Sequence, residues 1–225
     1  MVPIDQLDTG RALAWETQLF DEVARHPEKA FLKVWEGSRS LVAPKKLATL
    51  PAFAEVSAKL TEDGWPVHVR ATGGDVTPQG PGILNITHVY TWPSGGPFDI
   101  TAGYHRLCAP IEAALGSGAS RGWQPGAFCD GAYNVQWNGL KFAGTAMRFR
   151  PGREDKSSHT VLAHALMLIE PPEPEAIAAL NQFLRGLDQD RTILHNTHTG
   201  LPTGQCVDDF IMRLVQAFKD QERAI

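Results

Sequence analysis

Basic charge is scarce in this chain. Lys and Arg together number 21 against 25 Asp and Glu, giving a formal net charge of -4 and a pI near 6.0. A general nucleic-acid binder carries the opposite balance. No polybasic run marks a membrane-surface patch, and no apolar stretch is long enough to span a bilayer. Cysteine is equally sparse. Cys108, Cys129 and Cys206 form no CxxC pair, and an odd count leaves at least one thiol free. Reduced thiols predict a cytoplasmic protein. The opening residues Met1–Asp5 show no basic segment followed by an apolar run, which argues against a secretory signal. Internal repeats and low-complexity linkers are missing too. Neither nucleic acid nor membrane is expected as a partner.

What is present suits a globular protein: 43% hydrophobic and 20% charged residues over 225 positions. Apolar residues at helical spacing predict a helix over Thr9–Lys29, capped by Thr9 and stopped by Pro27. Further helices are expected at Leu50–Leu60, Gly103–Leu115, Glu175–Leu187 and Val207–Glu222. Strands are expected at Ala30–Trp35, Pro66–Ala71, Ile83–Trp92 and Val161–Glu170, with a hairpin over Tyr133–Arg150. Thr72–Gly82 and Gly116–Gly131 are rich in Gly and Pro and read as loops. The elements mix without strict βαβ alternation. This predicts an α+β fold, a mixed and largely antiparallel sheet flanked by helices, in a single domain over 1–225.

The hairpin carries the strongest local signal. Asn138-Gly139 between two alternating runs is the favoured pair for a type I′ turn. With that turn, Trp137 faces Leu140 and Val135 faces Phe142. One face then holds Tyr133, Val135, Trp137, Leu140 and Phe142. The other holds Asn134, Gln136, Lys141, Ala143 and Thr145. Lys141 therefore points away from the apolar packing face. A solvated surface lysine is the simpler reading of the pattern. A cleft in which Lys141 holds a carbonyl or phosphate oxygen is the sharper one.

Three segments resemble one family. Arg70-Ala71-Thr72-Gly73-Gly74, leading on to Asn85, is similar to the Arg-x-Ser/Thr-Gly-Gly signature of lipoate-protein ligases. Gly73–Gly82 also resembles the Gly-Gly-x-x-Thr-x-His-Gly-Pro-Gly motif of lipoyl(octanoyl) transferases. Asn138–Ala146 resembles the family's hairpin, in which Lys141 aligns with the essential lysine. Phe128-Cys129-Asp130-Gly131-Ala132-Tyr133 resembles the Phe-Cys-Pro-Gly-x-Tyr segment of octanoyl amidotransferases, whose cysteine is the nucleophile. Two departures stand out: Gln79 replaces the transferase histidine and Asp75 the third ligase glycine.

The resemblance implies the catalytic-domain fold of biotin and lipoate ligases. It implies Lys141 and Cys129 as catalytic groups. Arg70, Thr72, Gly73, Gly74, Asn85, Gly144, Thr145 and His164 are the implied substrate contacts, with the Gly73-Gly74 loop flanking an acyl tunnel. An octanoyl or lipoyl group would pass through a Cys129 thioester to a lysine of a lipoyl-carrier domain. The glycine-cleavage H protein, dehydrogenase E2 subunits and acyl-carrier protein are the implied partners. A transferase needs no cofactor, whereas a ligase would use ATP and magnesium. A non-catalytic acyl- or carrier-binding homologue is the remaining alternative. His195 and His198 lack a cysteine or carboxylate cluster, so no metal site is expected.

Overall fold

A computed structural model describes residues 4–92, 97–152 and 157–223. Residues 1–3, part of the opening read above, lie outside the described set. Seven strands form the main sheet: β1 (Asp5–Leu7), β2 (Phe31–Gly37), β6 (Ile83–Trp92), β10 (His159–Leu168), β9 (Leu140–Pro151), β8 (Val135–Trp137) and β7 (Ala119–Arg121), in that spatial order. Three more form a small sheet, β4 (Val67–Arg70), β3 (Ser40–Pro44) and β5 (Thr77–Gln79). Among the described residues, the β1–β2 and β3–β4 ladders are parallel and the other strand ladders are antiparallel. The fold is thus the expected α+β type with a largely antiparallel sheet.

Helices α4 (Ile100–Leu115) and α6 (Val207–Arg223) cover one face of the main sheet. Leu107, Ile111, Phe210 and Leu214 there pack against Val135, Phe142 and Ala165. Helix α1 (Thr9–Arg25) covers part of the other face, setting Leu19, Phe20 and Val23 on Val89 and Leu162. The small sheet covers the rest, backed by α2 (Lys45–Ala48), α3 (Phe53–Glu62) and α5 (Pro174–Gly186). Both faces of the main sheet are therefore buried. This explains why β10 reads as a nearly continuous apolar run.

Several expected boundaries move. Asp8 caps α1, its side chain accepting from the Arg11 N–H, while Thr9 instead bonds the Ser38 carbonyl. β5 and β7 lie inside the segments read as loops. Each has three residues, too few for an alternating pattern to show. β1 and β3 were not foreseen.

The hairpin turn forms as expected, with Asn138 and Gly139 both at positive φ (49° and 79°). Trp137 pairs with Leu140, but a bulge between Val135 and Gln136 then sets Val135 opposite Ala143. A bulge re-aims side chains. Phe142 and Ala143, expected on opposite faces, both join the α4–α6 core. Lys141 approaches Gly144 three positions on, a separation that a regular strand places on opposite faces.

Phe142 is fully buried, edge-on to the Phe210 ring at 5.6 Å. Phe142→Ala is expected to cost about 3–5 kcal/mol of stability in urea unfolding. A loss under about 1 kcal/mol would mean that this packing does not hold the hairpin.

Candidate functional site

The site forms where the two sheets meet the loop between β7 and β8. That loop brings Cys129 beneath the Gly73-Gly74-Asp75 turn. The Asp75 N–H donates to Cys129 Sγ at 3.2 Å, and the Arg70 guanidinium reaches the same sulfur at 3.8 Å. Arg70 also donates to the carbonyls of Gly73 and Asp75, both at 2.9 Å, which folds the turn over the sulfur. Cys129 itself has φ 45°, a left-handed backbone that a non-glycine residue adopts only when its surroundings impose it.

Lys141 helps to impose it. Its side chain is fully buried, which removes the solvated-surface reading. The ammonium donates to the carbonyl of Cys129 at 3.0 Å and to that of Phe128, and sits 4.6 Å from the centre of the Phe128 ring. Burial lowers its pKa to about 8 from the ordinary 10.5, partly opposed by Cys129 and Asp130. His198 secures the loop from the other side. Its ring stacks on Phe128, and Nε2 accepts the Phe128 N–H at 3.2 Å. Burial, with the Lys141 charge second, drops His198 to about 4, so it stays neutral and able to accept. Asp130 accepts from Gln124 N–H and from the Asn134 amide, closing the loop on itself. The cation that hydrogen-bonds the sulfur is thus Arg70, while Lys141 holds the loop's carbonyls.

Cys129 lies between two cavities. Inward, a slot runs between the sheets, walled by Leu13, Trp35, Val42 and Leu166. Arg70, Thr77, Gln79, Asn85, Gly144, Thr145 and His164 complete it. Its free volume is about 20 Å³, room for one water. Gln79 and Asn85 exchange two amide hydrogen bonds across it, at 3.0 and 2.8 Å. Outward, a cavity of about 160 Å³ is bounded by Gly73, Gly74, Tyr104, Gly131 and Tyr133. The glycine pair, expected to flank an acyl tunnel, borders the outer cavity and is not part of the inner slot's lining. A Cβ at Gly74 would lie 2.7 Å from Arg70 Nη2 and 2.9 Å from Cys129 Sγ, and φ there is 97°. Only glycine leaves the sulfur its room.

Thr145 spends its hydroxyl on the Tyr133 carbonyl at 2.8 Å. Thr72 and His164 meet at 3.1 Å, away from the sulfur's own hydrogen bonds. Both departures from the family motifs are absorbed: Gln79 by its amide pair, Asp75 by an ion pair with Arg191. The other thiols are differently placed. Burial pushes Cys108 up to about 12, and Cys206 is exposed. Sequence reasoning missed the Asp75 N–H, the loop-holding role of His198, and Glu16 behind His164. Only Glu16 left a signal, as a carboxylate in register with Leu13, Phe20 and Val23 on the buried face of α1.

Comparison with known proteins gives the family. Residues 8–219 match the family described as lipoyl protein ligase A/B catalytic domain, and the chain belongs to that family. It is 34% identical to an uncharacterized protein of Cupriavidus necator, covering 99% of this chain and 95% of that one. It is 35% identical over 158 residues to an octanoyl-GcvH:protein N-octanoyltransferase of Kyrpidia tusciae, covering 65% of this chain and 53% of that one. The match thus spans about half the length of that transferase. Among solved structures, a lipoate-protein ligase A bound with ATP superposes with TM-score 0.65 at 18% identity, covering 99% of this chain and 85% of that one. A ligase-like protein of T. acidophilum with bound lipoic acid gives TM-score 0.61 at 18% identity, covering 99% and 86%.

The buried ammonium has a measurable signature. Between pH 8 and 10.5 the unfolded chain binds a proton at Lys141 that the folded chain has released. Stability from this group therefore rises with pH across that window. The difference in unfolding free energy between wild type and Lys141→Met should grow by roughly 2–4 kcal/mol in favour of wild type from pH 7.5 to 10.5. A flat difference would mean that the lysine is not buried as a cation.

Proposed function

We propose that this chain is an ATP-independent acyltransferase of lipoate metabolism. It moves an octanoyl or lipoyl group onto a lysine of a lipoyl-carrier domain by way of a Cys129 thioester. The observation that carries this reading is the setting of Cys129 Sγ. It faces an N–H and a guanidinium, the donors a sulfur anion accepts, and it stands at the junction of two cavities. The names of the octanoyltransferase relatives support it, and make a glycine-cleavage H protein the first donor to test. Dehydrogenase E2 lipoyl domains and acyl-carrier protein are the further partners to try.

In the first step Sγ attacks the donor's acyl carbonyl, an octanoyl-lysine amide on an H protein or a thioester on acyl-carrier protein. The donor C–N or C–S bond breaks, and the thiol proton of Cys129 ends on the departing lysine nitrogen or sulfur. In the second, a carrier lysine attacks the new thioester, a C–N bond forms and Sγ is released. The Lys141 ammonium has three donors, of which two hold loop carbonyls. The third serves the thioester carbonyl oxygen as it gains charge. The acyl chain occupies the inner slot by parting its walls, and the carrier approaches from outside.

Intact-protein mass spectrometry after mixing with octanoyl-carrier and no ATP is expected to show one octanoyl adduct, removable by hydroxylamine. The adduct should be lost in Cys129→Ala and kept in Cys108→Ala and Cys206→Ala. Activity that survives Cys129→Ala and requires ATP with magnesium would replace the transferase by a ligase.

A further inference from the structure

The mechanism above leaves one buried polar chain unused. Trp35 Nε1 donates to Thr87 Oγ1 at 2.9 Å, and the Thr87 hydroxyl donates to Glu16 Oε1 at 2.6 Å. The other oxygen of that carboxylate lies 3.4 Å from His164 Nδ1, and His164 Nε2 lies 3.1 Å from Thr72 Oγ1. Glu16 and Thr72 are each 3% exposed. With Glu16 as a carboxylate, a neutral His164 donates from Nδ1 and keeps Nε2 as the acceptor for the Thr72 hydroxyl. A hydroxyl, an imidazole and an orienting carboxylate in this order form a proton-accepting unit.

Its position matches a need of the proposed reaction. The acceptor lysine arrives as an ammonium and must lose a proton before it attacks a thioester. Thr72 and Glu16 line a cleft of about 360 Å³ on the α1 side of the turn, and Arg70 belongs to both this cleft and the slot holding Cys129. Lys45, Arg70 and Arg148 also line the cleft. Their charges favour the neutral form of an arriving amine.

We infer that Thr72, His164 and Glu16 form a relay that deprotonates the acceptor lysine for attack on the Cys129 thioester. This inference rests on the thioester reading above. The ammonium proton passes to Thr72 Oγ1 as the Thr72 proton passes to His164 Nε2, and Glu16 balances the imidazolium. The free amine then bonds the carbonyl carbon and the C–S bond breaks. The sulfur leaves toward the Asp75 N–H and Arg70, and takes the second proton from the new amide nitrogen. The imidazolium later returns its proton to solvent.

The test uses full-length protein carrying a preformed octanoyl adduct, with two acceptors compared in single turnover. One is an apo lipoyl domain, whose lysine must be deprotonated. The other is hydroxylamine, already neutral near pH 7. In Thr72→Val and in His164→Gln the rate with the lipoyl domain is expected to fall roughly 100-fold relative to the rate with hydroxylamine. Thr72→Ser, which keeps the hydroxyl, should restore the ratio. A positioning role in packing alone slows both acceptors together, and that result, or an unchanged ratio, would overturn the relay. Glu16→Gln provides a further variant of nearly unchanged shape should Thr72→Val fail to fold. Failure of the wild type to form any adduct on Cys129 overturns the thioester and the relay together. An adduct that forms with an unshifted ratio overturns the relay alone.

Discussion

A buried ammonium that grips two successive carbonyls sets the geometry of this site. Lys141 is fully buried, and its hydrogen bonds to Phe128 and Cys129 are what make the burial tolerable. In return the charge fixes the loop in which Cys129 takes a left-handed backbone. Remove the cation and two buried carbonyls lose their partner while a strained residue loses its restraint. His198 adds the matching constraint on the N–H side of Phe128. Phe128, the residue before Cys129, is thus held at both its N–H and its carbonyl.

The arrangement carries a conflict between stability and function. A buried lysine whose pKa has fallen to about 8 destabilises the fold at neutral pH relative to an exposed one. The same loss of solvent strengthens its attraction to any oxygen that gains charge nearby. Methionine would fill the volume without a buried charge, yet it leaves no donor for the two loop carbonyls or for such an oxygen. The bulge at Val135/Gln136 belongs to the same compromise. It brings Lys141 over Gly144 while Phe142 and Ala143 stay in the core.

Much of this was legible beforehand, for identifiable reasons. Asn138-Gly139 determines its own turn because both residues tolerate positive φ. β6, with ten residues, is long enough for its boundaries to be read as they stand. The motif resemblance brought Cys129, Lys141 and the Arg70 turn into one site, and the structure places these groups around one sulfur and its loop. What stayed hidden depends on long-range geometry. A bulge shifts register without any marker in composition, so the division of the hairpin into two faces failed beyond its tip. Three-residue strands such as β5 show no period. Arg70 contacts Cys129 across 59 positions, and Glu16 contacts His164 across 148. No local pattern encodes such pairings, although a carboxylate on the apolar face of α1 announces that some partner must exist.

The slot between the sheets follows from the same topology. Among the described residues no strand ladder joins the small sheet to the large one. Their contact there is made by side chains such as Val42, Gln79, Trp35 and Asn85. Parting the walls to admit an acyl chain therefore breaks side-chain contacts and the Gln79–Asn85 amide pair, but no backbone ladder. Burial of the chain's methylenes offsets that cost at about 0.8 kcal/mol each. A long acyl chain repays the opening where a short one does not. Under the proposed acyl-transfer reading, chain-length preference then comes from the energy needed to separate the two sheets.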